Sequence, residues 1–479
     1  MSIQLFIVVL YVVLLFAISF WVKRKAEQGS SEYLLAGRKL SPVLVAVNIT
    51  GLAVGAASTV GVAERAFKVG MAAGWYNAAW AAGAVVMGLV AAGKLRAMKV
   101  STIPEFFERY YDTKGRVISA VGLVIIMCVI TALQYLAGGA ILSSLLPEVF
   151  SFKSGMLVSA VVFIGITLIG GLWSSGLSNI VSVTLIYLGI LYSCFTAVGK
   201  IGGMDVLAEK LGERADVMMN PLGGIPGIVI VGWIIVMVTQ AVTAQGPVQI
   251  ACGARDASAA RKGFLMGGLL IFPIGFLCAV LGLAAKVMFP DIPTEQAALA
   301  LPKVVMSLNP FASGVTLAAL WAADVSTACT ILLGAGTLFS QDIYKRFINP
   351  KVSDDKFVKI NRLTIFVIGL ITLWFAFNAA GILKTMIAGL SMTTALTCVF
   401  LFTVFAPGLC RRSSAFWTTL VGLAGIFLWF MPGNAFAFVK TIFHEVIYFE
   451  WIICIVTFLL VAAIDKQKIK DAVCTEEDN

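Results

Sequence analysis

The feature that most constrains this chain is a recurrence of apolar runs about 20 residues long, the length of an α-helix that crosses a bilayer. Thirteen can be placed, at residues 3–22, 43–63, 72–95, 117–146, 156–173, 177–199, 227–250, 264–289, 311–339, 363–383, 385–406, 415–431 and 446–464. Only 13% of the residues are charged, against about 25% in an average soluble domain. That leaves too little polar material to coat a water-facing surface, so lipid is the solvent for most of the chain. A backbone in lipid must satisfy its own N–H and C=O groups, and long runs do so as helices. The expectation is an all-α integral membrane protein of about 13 transmembrane helices. The first is termed helix 0 and the rest helices 1 to 12. Helix 0 has no basic segment before it and no small-residue cleavage site after it, so it reads as a retained span rather than a signal peptide.

Net charge is +10, yet the charges sit in short loops between apolar runs, with no basic tract interleaved with aromatics. A nucleic-acid partner is therefore not expected. Of the 35 Lys and Arg, 25 fall in or at the edge of alternate loops and the C-terminal tail. The positive-inside rule then puts the C-terminus in the cytoplasm and the N-terminus outside, in a multi-pass protein of the plasma membrane. The nine cysteines form no CxxC and mostly lie inside apolar runs, which argues against a disulfide framework. The single histidine, His444, cannot build a metal or haem site alone, and no catalytic constellation lies within the spans. An enzyme and an organic cofactor are not expected.

Two spans are interrupted in matching places. Helix 1 reads "VAVNITGLAVGAASTVGVA", with Asn48, Thr50, Gly51, Gly55, Ser58 and Thr59 inside it. Helix 6 reads "VGWIIVMVTQAVTAQGPVQIA", with Gln240, Gln245 and the pair Gly246-Pro247. These helices open two five-helix sets, 1–5 and 6–10. Five is odd, so the second set enters the membrane from the opposite side, giving a five-plus-five inverted repeat with discontinuous helices 1 and 6. Such paired breaks point to a transporter's binding site, because free backbone groups persist at membrane depth only where a cavity, ion or solute satisfies them. The chain divides into an N-terminal extra helix and loop (1–40), an inverted-repeat core (41–407), C-terminal extra helices (408–464) and a tail (465–479).

Four segments, in order, resemble the sodium/solute symporter family: "EYLLAGRKLSP" before helix 1, "VSTIPEFFERYY" after helix 2, "IGGLWSS" between helices 4 and 5, and "STACTILLGAGTLFSQDIYKRF" in helix 8 and beyond. The resemblance implies the leucine-transporter-like fold and alternating-access symport driven by a sodium gradient, with Na+ as coupling ion and a small molecule as substrate. The lipid bilayer is its other partner, and a monomer is expected. The resemblance also implies a main sodium site made of the Ala46 and Ile49 carbonyls on helix 1 with the Ala323 carbonyl and the Ser326 and Thr327 hydroxyls on helix 8. Unwound-helix carbonyls suit such an ion because they supply oxygen without a full charge. Many members carry an acid early in helix 5. The matching stretch here is "SNIVS", with Asn179 and Ser182, and its helix-8 partners match Cys329 and Thr330. One coupling sodium is expected in consequence.

Helix 8 also carries Asp324. At 100° per residue it lies beside Thr327, on the edge of the hydroxyl stripe, which suggests a place near the ion or along its exit. Substrate-binding candidates are Asn48, Thr50, Gly51 and Gly55 of helix 1, Gln134 of helix 3, Gln240 and Gln245 of helix 6, and Thr394 of helix 10. No Lys or Arg lies deep in helices 1, 3, 6, 8 or 10. An anionic group would therefore be held by half-helix N-termini, which favours import of an amino acid or small carboxylate. Parts of helix 1 and of the helix 4–5 turn also resemble the choline-transporting branch. A cationic solute would use aromatic faces such as Trp75, Tyr76, Trp80 and Trp233. Coupling to protons, or a channel-like carrier, stays open on the sequence alone.

Overall fold

The computed structural model describes residues 2–378, 391, 393–430, 437–443 and 445–469. The expected ends of helices 9 and 11, the start of helix 10, His444 and most of the tail lie outside the described residues. Within them the chain is helical, with no strand and two isolated bridges, Leu40 with Ala254 and Arg411 with Lys468. Among the described residues eight helices are long and apolar enough to cross a bilayer, or ten when each of two bent pairs counts as one span.

Helix 0 is Ile3–Ala26. Ser2 caps its start, and Lys23, Arg24 and Lys25 lie in its last turn, where cations complement the helix dipole. One face, with Phe6, Leu10, Val13 and Trp21, is open to lipid. The other carries Tyr11, Leu15 and Ser19 and is buried.

Helix 1 comprises Pro42–Ala53 and Ala57–Val69, bent by 64°. Its first half starts on the Ser41 cap with Pro42 at the position where a missing N–H costs nothing. Helix 6 comprises Gly227–Thr243 and Gln245–Gly253, bent by 49°. The break falls at Ala244, which is extended (φ −65°, ψ 142°), ahead of the Gly246-Pro247 pair. Pro247 thus falls in the first turn of the second half, where it needs no backbone donor.

Helices 4 and 5 depart from expectation at their turn. They form one run of 50 helical residues, Phe152–Ile201, interrupted only at Gly171 (φ 53°, ψ −135°). Contacts with helix 0 show that the run folds back. Cβ atoms built on Gly165 and then Gly170 meet Phe16 and then Val22, so the first half runs alongside helix 0. Tyr11 bonds Ser182 and Ser19 bonds Ser174, so the second half runs against it. The reversal happens at Gly171 rather than at residues 174–176, because a Cβ at Gly171 would collide with the Tyr33 carbonyl and its φ is left-handed.

Helix 3 is Thr113–Leu145, capped by Asp112, and helix 7 is Ala257–Met288, capped by Asp256. Helix 8, Pro310–Thr337, continues through Leu338–Ile348. Every residue from Thr316 to Thr337 is buried, so helix 8 is the inner axis of the molecule. Helices 9, 10, 11 and 12 are described over Asp354–Asn378, Thr394–Phe405, Ser414–Phe430 and Val446–Ile464.

Candidate functional site

The two breaks meet in the interior. Around them lies a cavity of about 60 Å³ lined by Ala53, Gly55, Ala57 and Ser58 of helix 1, Tyr76 and Trp80 of helix 2, Gln134 of helix 3, Gln240, Ala244, Gly246 and Pro247 of helix 6, Thr327 of helix 8, and apolar neighbours including Leu52 and Ile331. No lining residue is a Lys, Arg, His, Asp or Glu. The second halves of helices 1 and 6 both begin at this cavity, so both present helix N-termini to it.

Of the expected substrate residues, the structure places Gly55, Gln134 and Gln240 on the cavity. Asn48 is engaged elsewhere: its Nδ2 donates to the Leu44 carbonyl (2.7 Å), and its Oδ1 accepts from Asn179 Nδ2 (3.0 Å). Thr50 donates back to the Ala46 carbonyl (2.8 Å). Gly51 allows close approach of helix 5, since a Cβ there would lie 2.8 Å from Asn179 Cγ. Gln245 Nε2 donates to the Ser101 carbonyl (3.1 Å), outside the cavity. Thr394 is buried but does not line it. Among the aromatic candidates, Tyr76 and Trp80 line the cavity, whereas Trp75 donates to the Pro221 carbonyl (2.8 Å). Ser58, already visible as a polar residue within helix 1, belongs with the lining set.

The helix-8 hydroxyls meet helix 1 where it unwinds. Ser326 Oγ donates to the carbonyls of Gly51 (2.8 Å) and Ala323 (2.9 Å). Thr327 Oγ1 lies 3.0 Å from the Gly51 carbonyl and 3.1 Å from those of Leu52 and Ala323. The helix-1 carbonyls that these hydroxyls reach are thus those of Gly51 and Leu52. The reason is where the helix ends. Val54 still donates to Thr50, but the next carbonyls turn to side chains, and Ala53 accepts from Ser58 Oγ (2.6 Å). Ala46 and Ile49 lie in the intact part, where the Ala46 carbonyl takes the Thr50 hydroxyl. Thr330 bonds Ser175 at the start of helix 5 (3.1 Å), and Cys329 Sγ faces the Phe163 carbonyl (3.6 Å).

Asp324 is fully buried, but its carboxyl turns from this oxygen cluster towards Gly138 of helix 3. Among the described residues neither carboxyl oxygen has a hydrogen-bond partner, the Thr327 hydroxyl included.

The family model for the sodium:solute symporter family matches residues 33–422. The chain belongs to the sodium:solute symporter family. It is 27% identical over 478 residues to a sodium/glucose cotransporter of Vibrio parahaemolyticus, covering 90% of this chain and 86% of the relative. It is 23% identical over 374 residues to a sodium/proline symporter of Salmonella typhimurium, covering 74% and 73%. Among solved structures, a sodium-coupled sialic acid symporter in a substrate-bound outward-open state overlays with a TM-score of 0.82 at 15% identity, covering 98% of both chains. MhsT in complex with L-phenylalanine gives a TM-score of 0.56 at 12% identity, covering 88% of this chain and 98% of that one. The symporter therefore has the leucine-transporter-like fold, and sodium-coupled symport across a membrane is its function class. Its relatives are transporters, not enzymes.

In the symporter hydrogen bonds join the four family-like segments in pairs. Glu32 accepts from Trp173 Nε1 (2.8 Å), joining the first to the third. Asp342 accepts from Thr102 (3.0 Å) and pairs with Arg116 (2.7 Å). Glu108 pairs with Arg116 (2.5 Å) and Arg346 (2.8 Å). These links tie the end of helix 8 to the loop after helix 2 and the start of helix 3. Burial works against ionisation of Glu108, but the hydrogen bonds from Arg346 and Arg116 outweigh it and hold the carboxyl at about 2. Nothing in sequence spacing paired these residues, although their segments were visible as motifs.

Proposed function

We propose that this symporter imports a small amino acid or small carboxylate together with one sodium ion, as a multi-pass protein of the plasma membrane with its N-terminus outside and its C-terminus in the cytoplasm. The observation that carries the solute class is the cavity itself. It has no charged side chain, so it cannot neutralise an anion by pairing, yet it lies at the N-termini of two half-helices. Those ends present N–H groups and partial positive charge to a carboxylate. Gln134, Gln240 and Ser58 supply neutral polar contacts around it, and Tyr76, Trp80, Ile130 and Ile331 supply an apolar wall. A pocket of this kind suits a solute with one carboxylate and a compact apolar body.

The sodium is assigned to the cluster of Ser326 Oγ, Thr327 Oγ1 and the carbonyls of Ala323, Gly51 and Leu52. The two hydroxyls already lie 2.8–3.1 Å from these carbonyls, Ser326 from Gly51 and Ala323 and Thr327 from all three. A hard cation placed among them takes over the role of the two hydroxyl protons. Thr327 also lines the cavity, so the ion and the solute share a residue, and whatever coupling it carries acts equally in both directions. The choice of a single ion rests on Asn179, whose amide is spent on Asn48 where many relatives of the family carry an acid.

The test is a solute screen by thermal stabilisation of purified protein in NaCl against KCl. A ligand at 100 times its Kd stabilises the folded state by about 2.7 kcal/mol. Proline-like amino acids and short monocarboxylates are expected to stabilise in NaCl only. Stabilisation by hexoses or choline, with none by carboxylates, would overturn the solute class. Equal stabilisation in KCl would overturn the ion.

A further inference from the structure

Gln134 of helix 3 lines the central cavity and is 7% exposed, yet its side-chain Oε1 has no hydrogen-bond donor among the described residues. No other buried side-chain polar atom of the cavity wall is in that condition. Its surroundings are set by glycine. A Cβ on Gly55, at the break of helix 1, would lie 3.3 Å from Gln134 Oε1 and 2.8 Å from Thr327 Oγ1. With glycine there, no side chain of helix 1 fills the space between the two oxygens.

The backbone oxygens at the same break are already engaged. The Leu52 carbonyl accepts from Thr327 Oγ1 (3.1 Å), and the Ala53 carbonyl accepts from Ser58 Oγ (2.6 Å). The Gly55 carbonyl accepts from the Ser58 N–H (3.1 Å) and from Thr59 Oγ1 (3.2 Å). The chain thus meets these acceptors with its own donors and leaves Gln134 Oε1 to a donor that the solute brings.

A buried acceptor left unpaired carries its full desolvation penalty, so a solute with a donor is favoured over one without. Of the donors a small acid can carry, an ammonium suits this cavity better than a hydroxyl. It brings the net charge of the solute to zero against a wall with no charged side chain, and its hydrogen bond is charge-assisted. Its place on the solute is also constrained. The second half of helix 1 begins at Ala57, two residues after Gly55. The N–H groups assigned to the carboxylate and the oxygen left for the donor therefore stand side by side. Carboxylate and ammonium must be neighbours on the solute, as they are in an α-amino acid.

We propose that Gln134 selects α-amino acids over other small carboxylates, its Oε1 accepting an N–H of the solute's ammonium while the half-helix N-terminus of helix 1 holds the carboxylate. The proposal rests on the carboxylate reading above and narrows it to zwitterions with an N–H. Imino acids such as proline belong to this class, because the protonated ring nitrogen keeps N–H groups. Betaines, whose nitrogen has none, do not.

The test is thermal stabilisation of the purified full chain in NaCl by matched sets of solutes. Alanine, leucine and proline are set against propionate, 4-methylpentanoate and cyclopentanecarboxylate, which lack the amine. They are also set against ethylamine, 3-methylbutylamine and pyrrolidine, which lack the carboxylate. An amino acid is expected to bind roughly 10- to 100-fold more tightly than its des-amino partner, the range of one hydrogen bond to a charged group. Gln134→Leu keeps the size and removes the acceptor, and that ratio is expected to fall towards one. Gln134→Met serves the same purpose if the leucine variant does not fold. Gln134→Glu keeps an acceptor, and the preference for the amine is expected to persist. 4-Aminobutyrate, whose amine is far from its carboxylate, is expected to bind no better than butyrate.

Equal binding of an amino acid and its des-amino partner in wild type overturns the proposal and leaves the carboxylate reading standing. So does tight binding of 4-aminobutyrate or of glycine betaine. Binding of the amines without any of the acids overturns the carboxylate reading and the zwitterion with it, and stabilisation by no member of the sets overturns both. An equal loss for both partners in Gln134→Leu would make Gln134 a packing residue and overturn the proposal. Stabilisation by NaCl against KCl with no solute added is expected to persist in Gln134→Leu. Its loss there would make Gln134 a sodium ligand and would also overturn the proposal.

Discussion

Replacing both Ser326 and Thr327 with alanine separates ion binding from packing. Their hydroxyls have five carbonyl contacts, of which those to Gly51 and Leu52 cross between helices. Each hydroxyl has one proton, so at most two interhelical bonds count at a time. Such bonds within a membrane average about 0.6 kcal/mol, which puts the packing loss near ~1 kcal/mol. The ion loses two of its five proposed oxygens. On the scale of a hydrogen bond to a charged group, about 1.5–3 kcal/mol each, that is ~3–6 kcal/mol before water fills in. Taking the lower end for that compensation, sodium affinity falls by roughly 100-fold.

The assay is the sodium dependence of uptake into proteoliposomes, with the solute found by the stabilisation screen, alongside thermal midpoints in sodium-free buffer. The half-saturating sodium concentration is expected to rise about 100-fold, while the sodium-free midpoint drops slightly. An unchanged sodium requirement with a large drop in midpoint would show that these hydroxyls serve packing alone, and the sodium assignment would fall with it.

Three further outcomes are expected. Wild-type uptake should depend on sodium with a Hill coefficient near one, and Asn179→Asp, which puts an acid opposite Asn48, should make the curve sigmoidal; a sigmoidal wild-type curve would refute the single-ion reading. Glu108 is held below its ordinary value, so its ion pairs stabilise the fold above about pH 4.5 and that contribution is lost as pH falls towards about 2. Glu108→Gln should flatten this acid limb of the stability curve, read by thermal midpoint against pH, and an unaltered limb would place the acid sensitivity elsewhere. Gly171→Ala should abolish well-folded expression, since it forces a Cβ into the Tyr33 carbonyl at a left-handed φ; a monodisperse variant of wild-type stability would contradict the tight reversal.

What could be read in the sequence follows from which forces are local. A bilayer demands about 20 apolar residues per span whatever surrounds them, so most spans were legible. The breaks in helices 1 and 6 were legible because polar, Gly and Pro residues cannot lie in lipid without a reason. Their registers were not. The break in helix 6 falls at Ala244, ahead of the proline that marked it, because Pro247 fits a first helical turn. Where helix 1 unwinds, the Gly51 carbonyl meets hydroxyls about 270 residues further on, a pairing that spacing along helix 1 does not report. The turn between helices 4 and 5 offered several glycines and a polar "WSSG". Only Gly171 meets the Tyr33 carbonyl, and that contact comes from a segment before helix 1. Asn48 shows the same limit in the candidate site. A polar residue beside a break looks like a solute contact from spacing alone, yet its amide is taken by Asn179 of helix 5. Asp324 is the converse case. Helical angle placed it on the edge of the hydroxyl stripe, and the missing side chain of Gly138 leaves room for its carboxyl at the helix 3 seam. Spacing along one helix reports which face a residue occupies, and the neighbour across that face decides what it does.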